Sequence, residues 1–258
     1  MKRRKLLAYA GSGLAATVGM GALGSRHAVQ AQQADRLTLR SLGHTAFLFT
    51  GGGRRILVNP FRQIGCTAGF PSPAVPADIV MISSRLFDEG YLNDLPGEPR
   101  VLVEPGVYDF DNLRIQGVST PHDREGGRRF GTNVIWRWTQ AGVNVTHMGG
   151  AVAPLRVEEQ ILLGRPDVLL VPVGGGPKAY TPEEAMQAIQ VLRPKVVIPT
   201  HYLTTAANDT CDLKPLDDFL SLMQGVPITR APQGALSIRP SDLPSEGMRI
   251  QVYQYPLA

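Results

Sequence analysis

Residues 77–90 read ADIVMISSRLFDEG, and this stretch carries most of the information about the fold. Ile79-Val80-Met81 is a short apolar run of the kind that forms a strand buried on both faces. A polar turn follows it, with Ser83, Ser84, Arg85, Leu86, Phe87, Asp88 and Glu89 before Gly90. In α/β proteins the chemistry usually sits just beyond the end of such a strand. Two serines, an arginine, a leucine and a carboxylate pair are an uncommon complement for a working site. An Asp-Glu pair before glycine reads locally as solvated charge or a helix start.

Working outward, strand-like segments lie on both sides. RLTLRSLG, AFLFTGG and RRILVNPF precede the stretch; RVLVEPG, NLRIQGVST, NVIWRWTQAG and VNVTHMGG follow it. Gly51-Gly52-Gly53 and Gln140-Ala141-Gly142 have the composition of hairpin turns, which predicts antiparallel pairing at both places. LRVEEQILLG is helix-like, DVLLVPVGG and KVVIPTHY read as buried strands, and a helix opens between them at Thr181-Pro182-Glu183-Glu184. That opening combines an N-cap threonine, a proline at the first position and acids in the first turn. Strand-rich halves, each closed by helices, predict an α/β protein built as a four-layer α/β/β/α sandwich.

The chain has 258 residues, with 26 basic and 22 acidic side chains and a net charge of +4. Five of the bases and none of the acids fall in residues 1–31, so the remainder holds 21 basic against 22 acidic residues, a net charge of −1. A surface so near neutrality gives no electrostatic basis for nucleic-acid binding or for an anionic membrane. Residues 1–31 read as a cleaved export signal: Lys2-Arg3-Arg4-Lys5, an apolar Gly/Ala-rich run, and Val29-Gln30-Ala31 before the cleavage point. Arg3-Arg4 followed by Lys5-Leu6-Leu7 resembles a twin-arginine signal, which exports folded cargo to a periplasm or thylakoid lumen. The alternative, a retained anchor, fits poorly with so many glycines. The expectation is a single domain over 32–258, with no integral membrane span once the signal is removed.

Of the five histidines, His27 lies in the signal, and His44, His122, His147 and His201 all fall at strand ends or in the turns beside them. Singly, each is more often a structural histidine than a ligand; four together predict a shared rim. No two have the close spacing of a helical or finger-type metal site.

The ordered series GHTAFLFTGGGRRILVNPF, ADIVMISSRLFDEG, THMGG, PDVLLVPVGG and VVIPTHY resembles the metallo-β-lactamase superfamily, and within it the ascorbate-6-phosphate lactonase-like hydrolases. The resemblance runs from about Leu37 to about Leu220. It implies the sandwich fold, with one or two metals, usually zinc, at one edge. The family's signature turn, Thr-His-x-His-x-Asp-His, falls on Ser83 to Glu89. Two histidine ligands are then Ser84 and Leu86, the third is Glu89, and only Asp88 matches. The resemblance places further ligands at His122 and His201, and the bridging aspartate at Gly150. The aspartate of the family's Asp-Pro strand end is Asn59.

On this reading the metal candidates are Asp88, Glu89, His122 and His201. Asp88, His122 and His201 are the catalytic candidates of an active enzyme, and His44, Asn59, Ser84, His147 and Gly150 form the pocket rim. Two carboxylates and an imidazole suit hard ions better than zinc. The favoured expectation is a degenerate hydrolase with no firmly bound cofactor, serving as a scaffold for a small molecule or partner protein. The alternative is a hydrolase with one divalent metal (zinc, manganese or iron) acting on a small ester, lactone or phosphoester.

Other features rank lower. A pairing of Ser84 with His122 or His201 lacks the glycine elbow of a nucleophilic serine. VGGGP has no phosphate-loop lysine and Ser/Thr. EGGRRFG, residues 125–131, reads as solvated loop charge or a contact for an acidic partner. Trp136 and Trp138 share one strand face, for core packing or for an exposed aromatic patch. Finally, Cys66 and Cys211 follow two strands that end at the metal edge in the resembled family, and an even cysteine count in an exported chain favours pairing. They are expected to form a disulfide across the site.

Overall fold

The computed structural model describes residues 35–231 and 234–254; the expected export signal, residues 1–31, lies outside the described residues. Two mixed sheets face each other. The first holds, in spatial order, β13 (Ala235–Ile238), β1 (Leu37–Gly43), β2 (Ala46–Gly51), β3 (Arg54–Val58), β4 (Ile79–Met81) and β5 (Arg100–Leu102). In the second the order is β12 (Ile228–Ala231), β14 (Arg249–Tyr253), β11 (Val196–Thr200), β10 (Val168–Pro172), β9 (Val143–His147), β8 (Thr132–Gln140), β7 (Leu113–Pro121) and β6 (Gly106–Phe110).

Sequence periodicity explains the pairing. β1 alternates buried and more exposed residues, as a strand with one face on a core does. β10 and β11 are buried throughout, matching their unbroken apolar runs and their parallel pairing in mid-sheet. The β2–β3 hairpin turns at Gly52-Gly53, and the β8–β9 hairpin at Ala141-Gly142, where both residues have positive φ as the tight turn requires.

The main core fills the space between the sheets. Leu37, Phe47, Phe49 and Ile56 from the first pack against Ile115, Trp136, Trp138, Val168 and Ile198 from the second. Both tryptophans are therefore core residues, and Trp136 Nε1 donates to the Ile82 carbonyl at 3.1 Å, tying the end of β4 to the facing sheet.

The three α-helices of the described residues all flank the second sheet: α1 (Val157–Leu163), α2 (Pro182–Leu192) and α3 (Leu216–Leu222) supply Leu163, Ile189, Leu192 and Phe219 to its outer core. Thr181 caps α2 as expected, accepting from Glu184 N while the Glu184 carboxylate accepts from Thr181 N. The first sheet differs from the sequence expectation of helices on both sides. Its outer face, Leu57, Val80 and Ile82, is covered by Val75, Ala77, Leu92, Leu95 and Val103 from irregular segments. Pro71, Pro73, Pro76, Pro96 and Pro99 punctuate those segments, and proline removes the amide a helix needs.

None of the described helices is long and apolar enough to cross a membrane.

Candidate functional site

The loops beyond β3, β4, β7, β9, β10 and β11 converge at one edge of the sandwich. β3 and β4 are parallel, as are β9, β10 and β11, so within each group the carboxyl ends point the same way. His44 follows β1, Asn59 follows β3, and His201 follows β11; all three have positive φ, an uncommon conformation that the surrounding packing must enforce.

The turn after β4 is fixed by its neighbours. Ser83 N donates to Asn59 Oδ1 at 2.8 Å, and Ser83 O accepts from Val134 N at 2.7 Å. A backbone bond from Glu89 N to the Leu86 carbonyl closes the turn at 3.0 Å and points the Glu89 side chain inward. Glu89 is fully buried, so the solvated reading of this carboxylate is overturned.

Around it the structure gathers the histidines. One Glu89 oxygen lies 3.2 Å from His122 Nε2, the other 3.4 Å from His201 Nδ1, and Ser84 Oγ donates to Glu89 at 3.1 Å. The His44 and His201 rings meet edge to face at 4.2 Å between centroids. His44, Ser84, His122, His147 and His201 have almost no accessible surface, so these residues form a closed polar cluster and no open rim. His147 sits at its floor: Nε2 donates to the Thr45 carbonyl at 3.0 Å and Nδ1 accepts from Gly149 N at 3.1 Å, which fixes its tautomer.

Burial pushes the His201 and His44 imidazoles below their ordinary values and His147 down to about 4, so the neutral forms are favoured. For Glu89, burial acts upward, but His122, His201 and Lys178 outweigh it and hold the carboxyl below the ordinary range. The cluster is thus one buried carboxylate among histidines.

Two residues missed in the sequence complete the site. Lys178, beyond the glycine-rich loop after β10, pairs its ammonium with the Asp88 carboxylate, and both are largely buried. Asn133, on β8, accepts from Gly150 N and donates to Thr120 Oγ1 and the Met148 carbonyl, holding the Gly149-Gly150 turn in place. A lysine after three glycines and a buried polar residue at the start of a strand are weak signals, because their partners lie far off in sequence.

The 125–131 loop also has a structural explanation. Its amides at Glu125, Gly127, Arg129 and Phe130 all donate to the carboxylate of Asp123, which is held down to about 2 against the upward effect of burial. The loop is wound on one side chain. Cys66 and Cys211 form the expected disulfide, with Cα atoms 4.8 Å apart, beside backbone bonds joining Gly69 to Ala206 and Asn208 to Gly65.

Residues 38–201, more than half of the chain, match the family model of the β-lactamase superfamily domain. The chain belongs to the β-lactamase superfamily. It is 27% identical over 191 residues to a UPF0173 metal-dependent hydrolase of Thermococcus onnurineus, an alignment covering 64% of this chain and 84% of the relative. A UPF0173 metal-dependent hydrolase of Methanoculleus marisnigri is 31% identical over 194 residues, covering 66% and 83%. Among solved structures, one described as a Zn-dependent hydrolase of the metallo-β-lactamase superfamily from Thermotoga maritima superposes with a TM-score of 0.67 at 28% identity, covering 84% of this chain and all of that one. These relatives place the chain in the superfamily; none of their names is that of an ascorbate lactonase.

The metal those names imply can be tested against the donors present. Ser84 and Leu86 offer no strong ligand, and the Asp88 carboxylate is neutralised by Lys178. At Gly150 a Cβ would lie 2.2 Å from His122 Nε2 and 2.8 Å from the Lys178 carbonyl, so a bridging side chain there would require the His122 ring and the Lys178 segment to shift. Among the described residues, no group of three or more His, Cys, Asp or Glu is arranged to hold an ion. A two-metal centre does not fit this site.

Proposed function

We propose that this member of the β-lactamase superfamily is an exported, catalytically degenerate hydrolase that keeps the sandwich as a binding scaffold. The observation carrying this reading is the buried Glu89 carboxylate, set between His122 and His201 at 3.2 and 3.4 Å. A side chain that the resemblance places at a ligand position here fills the centre of the cluster, its two oxygens facing His122 and His201. A cleft of about 290 Å³ beside Ser83, Ser84, Glu104 and Phe130 would receive a small molecule or the side chain of a partner protein. Export is supported by the twin-arginine-like segment and by the Cys66–Cys211 disulfide, which suits an oxidising compartment.

A second reading, a single-metal hydrolase using Asp88, Glu89, His122 and His201 on a small ester, lactone or phosphoester, has its own support. Glu89 Oε1, both ring nitrogens of His44 and of His122, and His201 Nδ1 are buried without a hydrogen bond of regular geometry. Such a concentration of unpartnered atoms calls for an ion, a water or a rearrangement.

Elemental analysis of natively exported protein, purified without added metal, separates the two. The scaffold reading expects less than one firmly bound transition metal per chain. Near-stoichiometric zinc, manganese or iron, lost on changing both His122 and His201 to Ala, overturns it. For export, replacing Arg3-Arg4 with Lys-Lys should retain the chain in the cytoplasm, and the exported chain should begin near Gln32; unimpaired export of that variant removes the twin-arginine route.

A further inference from the structure

We infer that Lys178 is a tethered cation that takes the place of a metal ion at this site and keeps divalent ions out. This rests on the proposal that the family's centre is lost, and it names the residue that maintains the loss.

Three independent observations carry it. The Lys178 ammonium is paired with Asp88, the one residue of the signature turn that matches the family pattern, so the remaining ligand carboxylate is already neutralised. The pair lies mostly out of solvent, at 21% and 16% side-chain exposure, where the attraction is little screened. Lys178 also stacks its Nζ 5.8 Å above the Phe130 ring, which holds the chain over the cluster.

The second observation is steric. The Lys178 carbonyl and the His122 ring together occupy the space a Cβ at position 150 would need. The absence of a side chain at Gly150 and the approach of Lys178 are therefore one packing arrangement, and restoring the bridging residue would require displacing the lysine segment.

The third concerns how the lysine arrives. The loop from Gly174 to Gly176 packs against the His201 backbone: Gly174 N donates to the His201 carbonyl at 3.0 Å, and a Cβ at 174 would meet that oxygen at 2.3 Å. Gly175 and Gly176 both have positive φ. A loop of ordinary residues could not run this close to the end of β11. Its geometry brings Lys178 to the edge where Asp88 stands, and a fixed ammonium beside the carboxylates repels an incoming dication while supplying one positive charge of its own.

The test is zinc and manganese binding by titration calorimetry on the metal-stripped mature chain, comparing wild type with Lys178→Met, Lys178→Arg and Lys178→Met/Asp88→Asn. Removing the ammonium should raise zinc or manganese affinity at least tenfold over wild type. Lys178→Arg, which keeps the charge, should bind as weakly as wild type, and Asp88→Asn should abolish the gain. If Lys178→Met does not fold, Lys178→Gln takes its place. A metal-poor wild type whose neutral Lys178 variants bind no more tightly overturns this inference and leaves the scaffold reading standing. A wild type that itself holds stoichiometric metal overturns the scaffold reading and this inference with it.

Discussion

The Glu89 carboxylate lies 3.2 Å from Nε2 of His122 with both side chains wholly shielded from water. A buried charge with a single close cluster of partners is costly to strip of them. Removing one member of such a pair leaves the other uncompensated, at a cost of about 3–5 kcal/mol. Glu89→Ala should therefore destabilise the fold by about that amount in chemical denaturation. A loss below about 1 kcal/mol would show that the carboxylate is dispensable, as a solvated turn residue would be.

The histidines predict a pH dependence with a definite sign. In the unfolded chain imidazole titrates near 6.5, whereas burial holds His147 down to about 4 in the fold and also lowers His201 and His44. Between those values the unfolded state binds protons that the folded state does not, so stability is fully present above pH 6.5 and falls as pH drops towards 4. Carboxylates contribute little above pH 5, so the interval from pH 7 to 5 isolates the histidines. Urea midpoints should decline across it; a flat profile would contradict the buried neutral assignments.

Gly150→Asp restores the residue type that the superfamily pattern has at this position, and it should still harm the protein. Its Cβ would fall 2.2 Å from His122 Nε2, well inside contact distance. Overpacking of this kind costs about 1–3 kcal/mol, with a buried carboxylate adding to it. Denaturation of the variant, with and without zinc, checks both parts: lower stability and no metal-dependent recovery.

The disulfide joins two cysteines 145 positions apart in sequence. In the chain-entropy model, releasing it through Cys66→Ala/Cys211→Ala should cost about 3–5 kcal/mol, mostly by freeing the unfolded chain. Equal stability of the oxidised protein and the double variant would mean that native strain cancels the gain.

Asp123→Ala should unwind the loop it organises, since four backbone amides lose one acceptor group. Limited trypsin digestion should then cut faster after Arg128 or Arg129 while the rest of the domain resists. Unchanged cleavage would show that the loop holds its shape without the carboxylate.

The sequence by itself determined β1 to β5, β7 to β11, the two glycine hairpins and the Thr181 cap, because each is written in a local period or a turn residue. By contrast, β6, β12, β13 and β14 carry no such signal, and the place of the candidate site came from the family resemblance. The sequence also carried the cysteine pairing, once the resemblance had put both loops at one edge. Tertiary structure decided the rest. Asp88-Glu89-Gly90 reads as an exposed turn, yet Glu89 is buried, because the turn back onto Leu86 sets its carboxylate against His122 and His201, which come from distant strand ends. Lys178 meets Asp88 across 90 positions of chain, and no local pattern records that approach. The irregular layer over the first sheet was missed for a related reason: its apolar residues are placed by contact with Leu57, Val80 and Ile82 and by no period of their own. Local chemistry fixes what a segment can become, while charge pairing and burial depend on which distant segments the sheet register brings together.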